Sequence, residues 1–453
     1  MRICLGLLPL LMCVPSRAQR QVFARGEVID SVPVQGSTTE SFALYLPEQY
    51  RPGSAWPIVL IFDPAARGGV AVRQFTEVAE TYGYILVASN DSRNGPYDRN
   101  FEITNRLFNE VFSDFDLDPG RIYTAGFSGG ARLASSIAVL SGHIQGVVAC
   151  GAGFSDTPPS LNPPFSYAAI VGDRDFNYSE LRKTDGWLEK LQLPHELFVF
   201  GIEHQWPLPE QLGKAFAWLQ LEAFRKELLP ENKAVVDRIY SKFYDDARKL
   251  EAGNDLPGAV REYDRIFRNF GRYYGVDSIR VRAESIRETK AFRTQKQELE
   301  KSLEVEAGLV KMYVDALQAD IRNGVTETGQ WDKRIARIRE KMAGADLYNR
   351  AMFGRILATL SAIAFETADH GSGKLSVQQK IFCYDICILA NPENLYSYLR
   401  QMENYLALGK RDRAFEYLEK LVRSGFQDRA YLKENSTVSK LKDHPGFNAL
   451  MEE

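Results

Sequence analysis

The stretch that decides the fold is Arg121-Ile-Tyr-Thr-Ala-Gly126-Phe127-Ser128-Gly129-Gly130-Ala131. A β-branched, apolar run leads into Gly126-Phe-Ser128-Gly-Gly130, a G-x-S-x-G pattern, and an alanine-rich amphipathic stretch follows it. A serine on a tight strand-to-helix turn must take a strained backbone conformation, and only glycine-sized neighbours two residues before and after it leave room. The reading therefore expects a strand, an exposed Ser128 Oγ at the carboxyl end of a sheet, and a helix N-terminus beneath it.

Working outward, short apolar runs recur at 41–46, 57–62, 84–89, 146–151, 166–172 and 196–201, with amphipathic stretches between most of them. Alternation of this kind specifies parallel strands joined by helical crossovers, hence a mostly parallel, doubly wound α/β sheet covered on both faces. From about Lys226 no further strand pattern appears, and period-3.6 patterns continue to the C-terminus. The expected division is an export signal over 1–18, an α/β domain over 19–225 and an all-α domain of helical hairpins over 226–453. Cys383 and Cys387, four apart in IFCYDICILA, share one helix face and are expected to face a core rather than a metal.

A serine hydroxyl becomes a nucleophile when a base takes its proton, and the base needs a carboxylate to orient it. His204, in Gly201-Ile-Glu-His204-Gln-Trp206, follows the last strand and so belongs at the carboxyl edge with Ser128, whereas His195 opens that strand at the opposite edge. The turn Gly172-Asp173-Arg174-Asp175 offers two carboxylates, and its G-x-x-D spacing favours Asp175 over Asp173. The chain order Ser128, Asp175, His204 is the α/β-hydrolase order.

On these segments residues 26–225 resemble the α/β-hydrolases. GFSGGA, GDRDFN and EHQWP are similar to motifs of small secreted feruloyl and acetylxylan esterases, polyhydroxybutyrate-depolymerase-like proteins and dienelactone hydrolases. The resemblance implies hydrolysis of carboxylic esters, carbohydrate-linked ones among them, through an acyl-serine. Ser128 would be the nucleophile, His204 the general base and then acid, and Asp175 the residue fixing its tautomer. The helical part is more loosely similar to tetratricopeptide proteins over Leu395–Phe426, with Tyr405, Gly409 and Ala414 near the repeat positions, and over Val236–Phe270, with Asn254 at the turn.

The oxyanion segment departs from the pattern. Where relatives carry His-Gly-Gly, this chain reads Phe62-Asp63-Pro64-Ala65, so the expected donors are the N–H groups of Gly129 and Ala65. Asp63 reads either as a turn-initiating residue or as one that discourages anionic substrates. Asn94 and Tyr97 form either a polar substrate contact or a plain turn, and Trp206 either stacks on substrate or packs the His204 loop.

Composition limits the alternatives. With 56 Lys+Arg against 59 Asp+Glu there is no overall cationic excess to hold a phosphate backbone, so no nucleic-acid partner is expected. Residues 19–225 hold 16 basic and 24 acidic side chains, a net −8 suited to neutral rather than anionic substrates. Arg2, the apolar run Leu5–Val14 and Ser16-Arg17-Ala18 have the layout of a secretory signal cleaved after Ala18, with a lipoprotein anchor at Cys13 the weaker alternative. No later segment is read as long and apolar enough to span a membrane, and no cofactor or metal is required. Two further readings stand beside the esterase: a serine peptidase, and an impaired hydrolase fold whose helical part binds a protein or peptide partner.

Overall fold

The computed structural model describes residues 22–155, 164–371, 375–426 and 428–452. The expected export signal lies outside the described residues. Eight strands form one sheet: β1 (Val28–Pro33), β2 (Ser41–Tyr45), β3 (Trp56–Phe62), β4 (Ile85–Ser89), β5 (Leu117–Phe127), β6 (Gly146–Cys150), β7 (Ser166–Gly172) and β8 (His195–Phe200). Their order is β1-β2-β4-β3-β5-β6-β7-β8. The pairs β1–β2 and β2–β4 are antiparallel, and every pair from β4–β3 to β7–β8 is parallel. This is the doubly wound, mostly parallel sheet of the α/β-hydrolase fold. The sequence reading lacked β1, a half-exposed edge strand without apolar alternation.

The central strands are apolar on both faces because both faces are covered. Helices α1 (Gly68–Tyr82) and α5 (Pro209–Arg225) pack on one side, through Val72, Phe75, Phe216 and Trp218. On the other side lie α2 (Tyr97–Asp114), α3 (Gly129–Ser141) and α4 (Tyr178–Lys190), through Leu107, Leu133 and Leu181.

Among the described residues no strand follows β8, and the rest is helical. The next three helices after α5, α6 (Lys233–Ala252), α7 (Leu256–Phe270) and α8 (Asp277–Arg287), extend the α1/α5 core: Phe243, Ala259, Ile266 and Phe270 are fully buried in one cluster with Phe198 and Phe216. Helices α6 and α7 form a hairpin whose turn residue Asn254 has φ 60°. A second hairpin joins α13 (Leu395–Ala407) to α14 (Arg411–Arg423) through Gly409, φ 70°, with Ala414 and Leu418 fully buried. Between them run α9 (Lys290–Arg322), α10 (Gly329–Ala343), α11 (Leu347–His370) and α12 (Val377–Ala390) around a third core that includes the buried Cys383 and Cys387.

One expectation needs correction here. The stretch Leu347–Asp369 is 23 residues and contains an 18-residue window with a mean hydropathy of 1.2, long and apolar enough to cross a membrane by length and composition. Half of that window is buried, and Arg355 within it is 2% exposed and ion-paired to Glu306. Its apolar character matches the demands of a core helix.

The seam between sheet and helices holds a buried charge network. Arg265 of α7 donates from Nε to Glu196 of β8 (2.8 Å) and from Nη2 to Leu197 O (2.7 Å), and also pairs with Glu262. Lys214 of α5 reaches Glu262 at 2.9 Å, and Asn269 bridges Glu196 (2.8 Å) to the Trp218 indole (3.1 Å). Removing one member of a buried pair leaves an uncompensated charge. Arg265→Ala is expected to lower unfolding stability by about 3–5 kcal/mol in a denaturant titration.

Burial would raise the Glu262 carboxyl, but Arg265 and Lys214 outweigh it and hold it down at about 2, against an ordinary 4.5. A carboxyl lowered in the folded state binds fewer protons there than in the unfolded chain. Its stabilisation is therefore present above 4.5 and lost as pH falls toward about 2. Thermal melts are expected to show this acid loss in wild type and a shallower one in Glu262→Gln.

Candidate active site

The site is assembled by three strand ends. At the end of β5, Ser128 takes φ 53°, ψ −122°, and its N–H donates to Cys150 O at 2.8 Å. The flanking glycines are sterically required. A Cβ on Gly126 would sit 2.3 Å from the Gly130 carbonyl, and one on Gly130 would sit 2.0 Å from Phe62 O. The elbow is thus wedged against the end of β3, whose Phe62 is in register with Gly126. Helix α3 begins at Gly129, so the first free N–H groups of the helix lie beside the serine.

His204 stands on the loop after β8 and Asp175 on the loop after β7. His204 Nε2 is 3.0 Å from Ser128 Oγ, and Nδ1 is 2.9 Å from both Asp175 oxygens. With Nδ1–H donating to the buried carboxylate, Nε2 accepts from the serine hydroxyl. Asp175 is 1% exposed and also accepts from Asn177 N–H (2.8 Å), while the Asn177 side chain holds Gly151 O (2.7 Å). The imidazole lies between Phe127 and Phe176, with ring centroids 4.7 and 4.1 Å away. His195 is remote from this set, its Nδ1 2.7 Å from Leu193 O at the start of β8.

Asp173 is placed differently. Its carbonyl accepts from Arg355 of α11 at 2.5 Å, and burial raises its carboxyl pKa despite the nearby Arg174 and Arg355.

Around the nucleophile is a cleft of about 390 Å³, lined among others by Asn94, Tyr97, Gly129, Phe176 and Glu366. Asp63 is 1% exposed and accepts from Ala65 N–H (2.8 Å), Arg67 Nε (3.0 Å) and Trp206 Nε1 (2.9 Å). Burial alone would raise its carboxyl, but the hydrogen bonds from Arg67 and Trp206 hold it below the ordinary range. One expectation changes as a result, and one pair of alternatives narrows. The Ala65 N–H is engaged by Asp63 Oδ1 and is not presented to Ser128. The Trp206 indole, packed on Phe75 and Phe127, braces the His204 loop against Asp63.

Asn94 and Tyr97 both border the cleft. The Asn94 N–H donates to Pro64 O at 2.8 Å, and Asn100 Nδ2 holds Arg93 O at 2.8 Å, so the loop is braced. The Asn94 amide lies directly over Gly129, where a Cβ would be 1.8 Å from Oδ1. The Tyr97 hydroxyl is hydrogen-bonded to Ser155.

Sequence reasoning did not reach Phe127, Phe176 or Asn177, although each adjoins a residue it named. Glu366 and Arg355 gave no local signal, since they lie on a helix far along the chain.

No protein-family model and no curated protein matches this chain. Solved structures do. An esterase of Pyrobaculum calidifontis is similar at 14% identity and TM-score 0.36, over 45% of this chain and 87% of that one. S-formylglutathione hydrolase of Staphylococcus aureus is similar at 12% identity and TM-score 0.34, over 44% and 98%. Thermogutta terrifontis esterase 2 is similar at 15% identity and TM-score 0.35, over 46% and 96%.

Gly130→Ala tests the wedge. Overpacking at a rigid backbone contact is expected to cost about 1–3 kcal/mol in a denaturant titration. Gly213→Ala, at a helical position with nothing within 4 Å of the added Cβ, should show no such loss.

Proposed function

We propose that the protein is a serine hydrolase that cleaves carboxylic esters through an acyl-serine intermediate. The observation that carries this reading is the continuous hydrogen-bonded series Ser128 Oγ, His204 Nε2, His204 Nδ1 and Asp175, beginning on a strained serine at a helix N-terminus. His204 takes the hydroxyl proton as Ser128 Oγ bonds to the carbonyl carbon, and the carbonyl π electrons move to oxygen. Collapse expels the alcohol, which takes the proton from His204. Water then repeats the sequence on the acyl-serine and releases the acid. Buried Asp175 holds the imidazole in the tautomer the first step needs and stabilises the imidazolium that follows.

The developing oxyanion is received by the Gly129 N–H, with Asn94 as second donor. Asn94 takes the place that Ala65 cannot fill, because its amide lies over Gly129 at the cleft. The two ends of a carboxamide exchange by a flip of the group, so its NH₂ can be turned to the site. Net charge −8 over 19–225 favours neutral esters, carbohydrate-linked ones included. The sequence of residues 1–18 supports action outside the cytoplasm.

Turnover of p-nitrophenyl acetate tests the reading. Ser128→Ala is expected to lose several orders of magnitude in kcat, and unchanged turnover would refute the assignment. Asp175→Asn is expected to lose about 10⁴-fold in kcat, while Asp173→Asn stays within a few-fold of wild type. Asn94→Ala should lower kcat by about 10²–10³ with little change in KM, the signature of a donor used in the transition state.

A further inference from the structure

The cleft at Ser128 does not end at the α/β sheet. Phe176, Asn177 and Glu366 line it and also line a second groove of about 610 Å³ between α4 and the helices α9 and α11. The walls of this groove are mostly apolar: Leu303 and Val310 from α9, Ala362 and Ile363 from α11. Leu303 to Val310 spans two helical turns, about 10 Å. On the facing wall, Arg182 turns its guanidinium to the Tyr178 hydroxyl (Nη1 to Oη 3.3 Å), the exposed Lys183 stands at the solvent side, and Glu306 is neutralised by Arg355. At the junction the exposed Glu366 disfavours an anionic group in transit.

We propose that this groove is a substrate subsite, built by the helical region, for an uncharged hydrocarbon arm of the ester. The inference rests on Ser128 acting on esters and adds what kind of ester it prefers. The two cavities border each other at Phe176, Asn177 and Glu366, so an arm that passes these shared residues has one end at the nucleophile and the other along α9 and α11. The arm enters either as the acyl chain or as the alcohol chain.

Two substrate series separate those sources: p-nitrophenyl esters from acetyl to octanoyl, and acetate esters of straight-chain alcohols from ethanol to octanol. In wild type, kcat/KM is expected to climb along one series by up to about fourfold per methylene and to stay level along the other. Val310→Asp, Ile363→Asp and the groove-filling Ala362→Trp should each cut the ratio of longest to shortest substrate by about tenfold or more. General loss of structure would lower both substrates together and leave that ratio alone. No climb in wild type in either series, or a climb that survives all three substitutions, would overturn the subsite. Acetate turnover by Ser128→Ala equal to wild type would instead overturn the hydrolase reading on which it rests.

Discussion

Backbone contact between the end of β3 and the turn after β5 is the constraint on which the site depends. Gly130 meets Phe62 O so closely that no side chain fits between them, and Gly126 meets Gly130 in the same way. That double contact fixes Ser128 in its left-handed conformation and aims Oγ away from the sheet. The strain is supported by a core in which β3 from Pro57 onward and β5 from Ile122 onward are buried on both faces. The same strand end carries Asp63, whose buried carboxylate ties Ala65, Arg67 and Trp206 together. Through Trp206 the β3 end also steadies the loop bearing His204.

A second constraint comes from the helices. Core packing passes without a break from the sheet through α5 into α6, α7 and α8, and Arg265 and Lys214 neutralise buried carboxylates along that seam. Farther along, Arg355 of α11 closes on Glu306 and on the carbonyl of Asp173, two residues before Asp175. The helical region is therefore in contact with the loop that carries the carboxylate of the hydrogen-bonded series. It also supplies Glu366 to the cleft itself.

Features with short-range causes were legible in the sequence. The strands could be read because burial on two faces demands unbroken apolar runs. Ser128, Asp175 and His204 could be singled out because glycine spacing and the position after a strand are local marks of a carboxyl-edge turn. Other features have no local mark. β1 is an exposed edge strand without alternation. The engagement of Ala65 N–H depends on which way Asp63 turns, and that is decided by Arg67 and a tryptophan 143 residues away. Asn94 meets Gly129 only because β4 and β5 flank β3 in the sheet. Arg355 and Glu366 belong to a helix whose apolar composition gives no indication of the surface it packs against.

Ser128 is proposed to be an activated nucleophile. The most direct test of this is mass spectrometry of the protein after exposure to a fluorophosphonate. One phosphonyl adduct per chain is expected, mapped to the peptide containing Ser128 and absent from His204→Ala. No adduct at all, or an adduct on another residue with Ser128 unmodified, would contradict it.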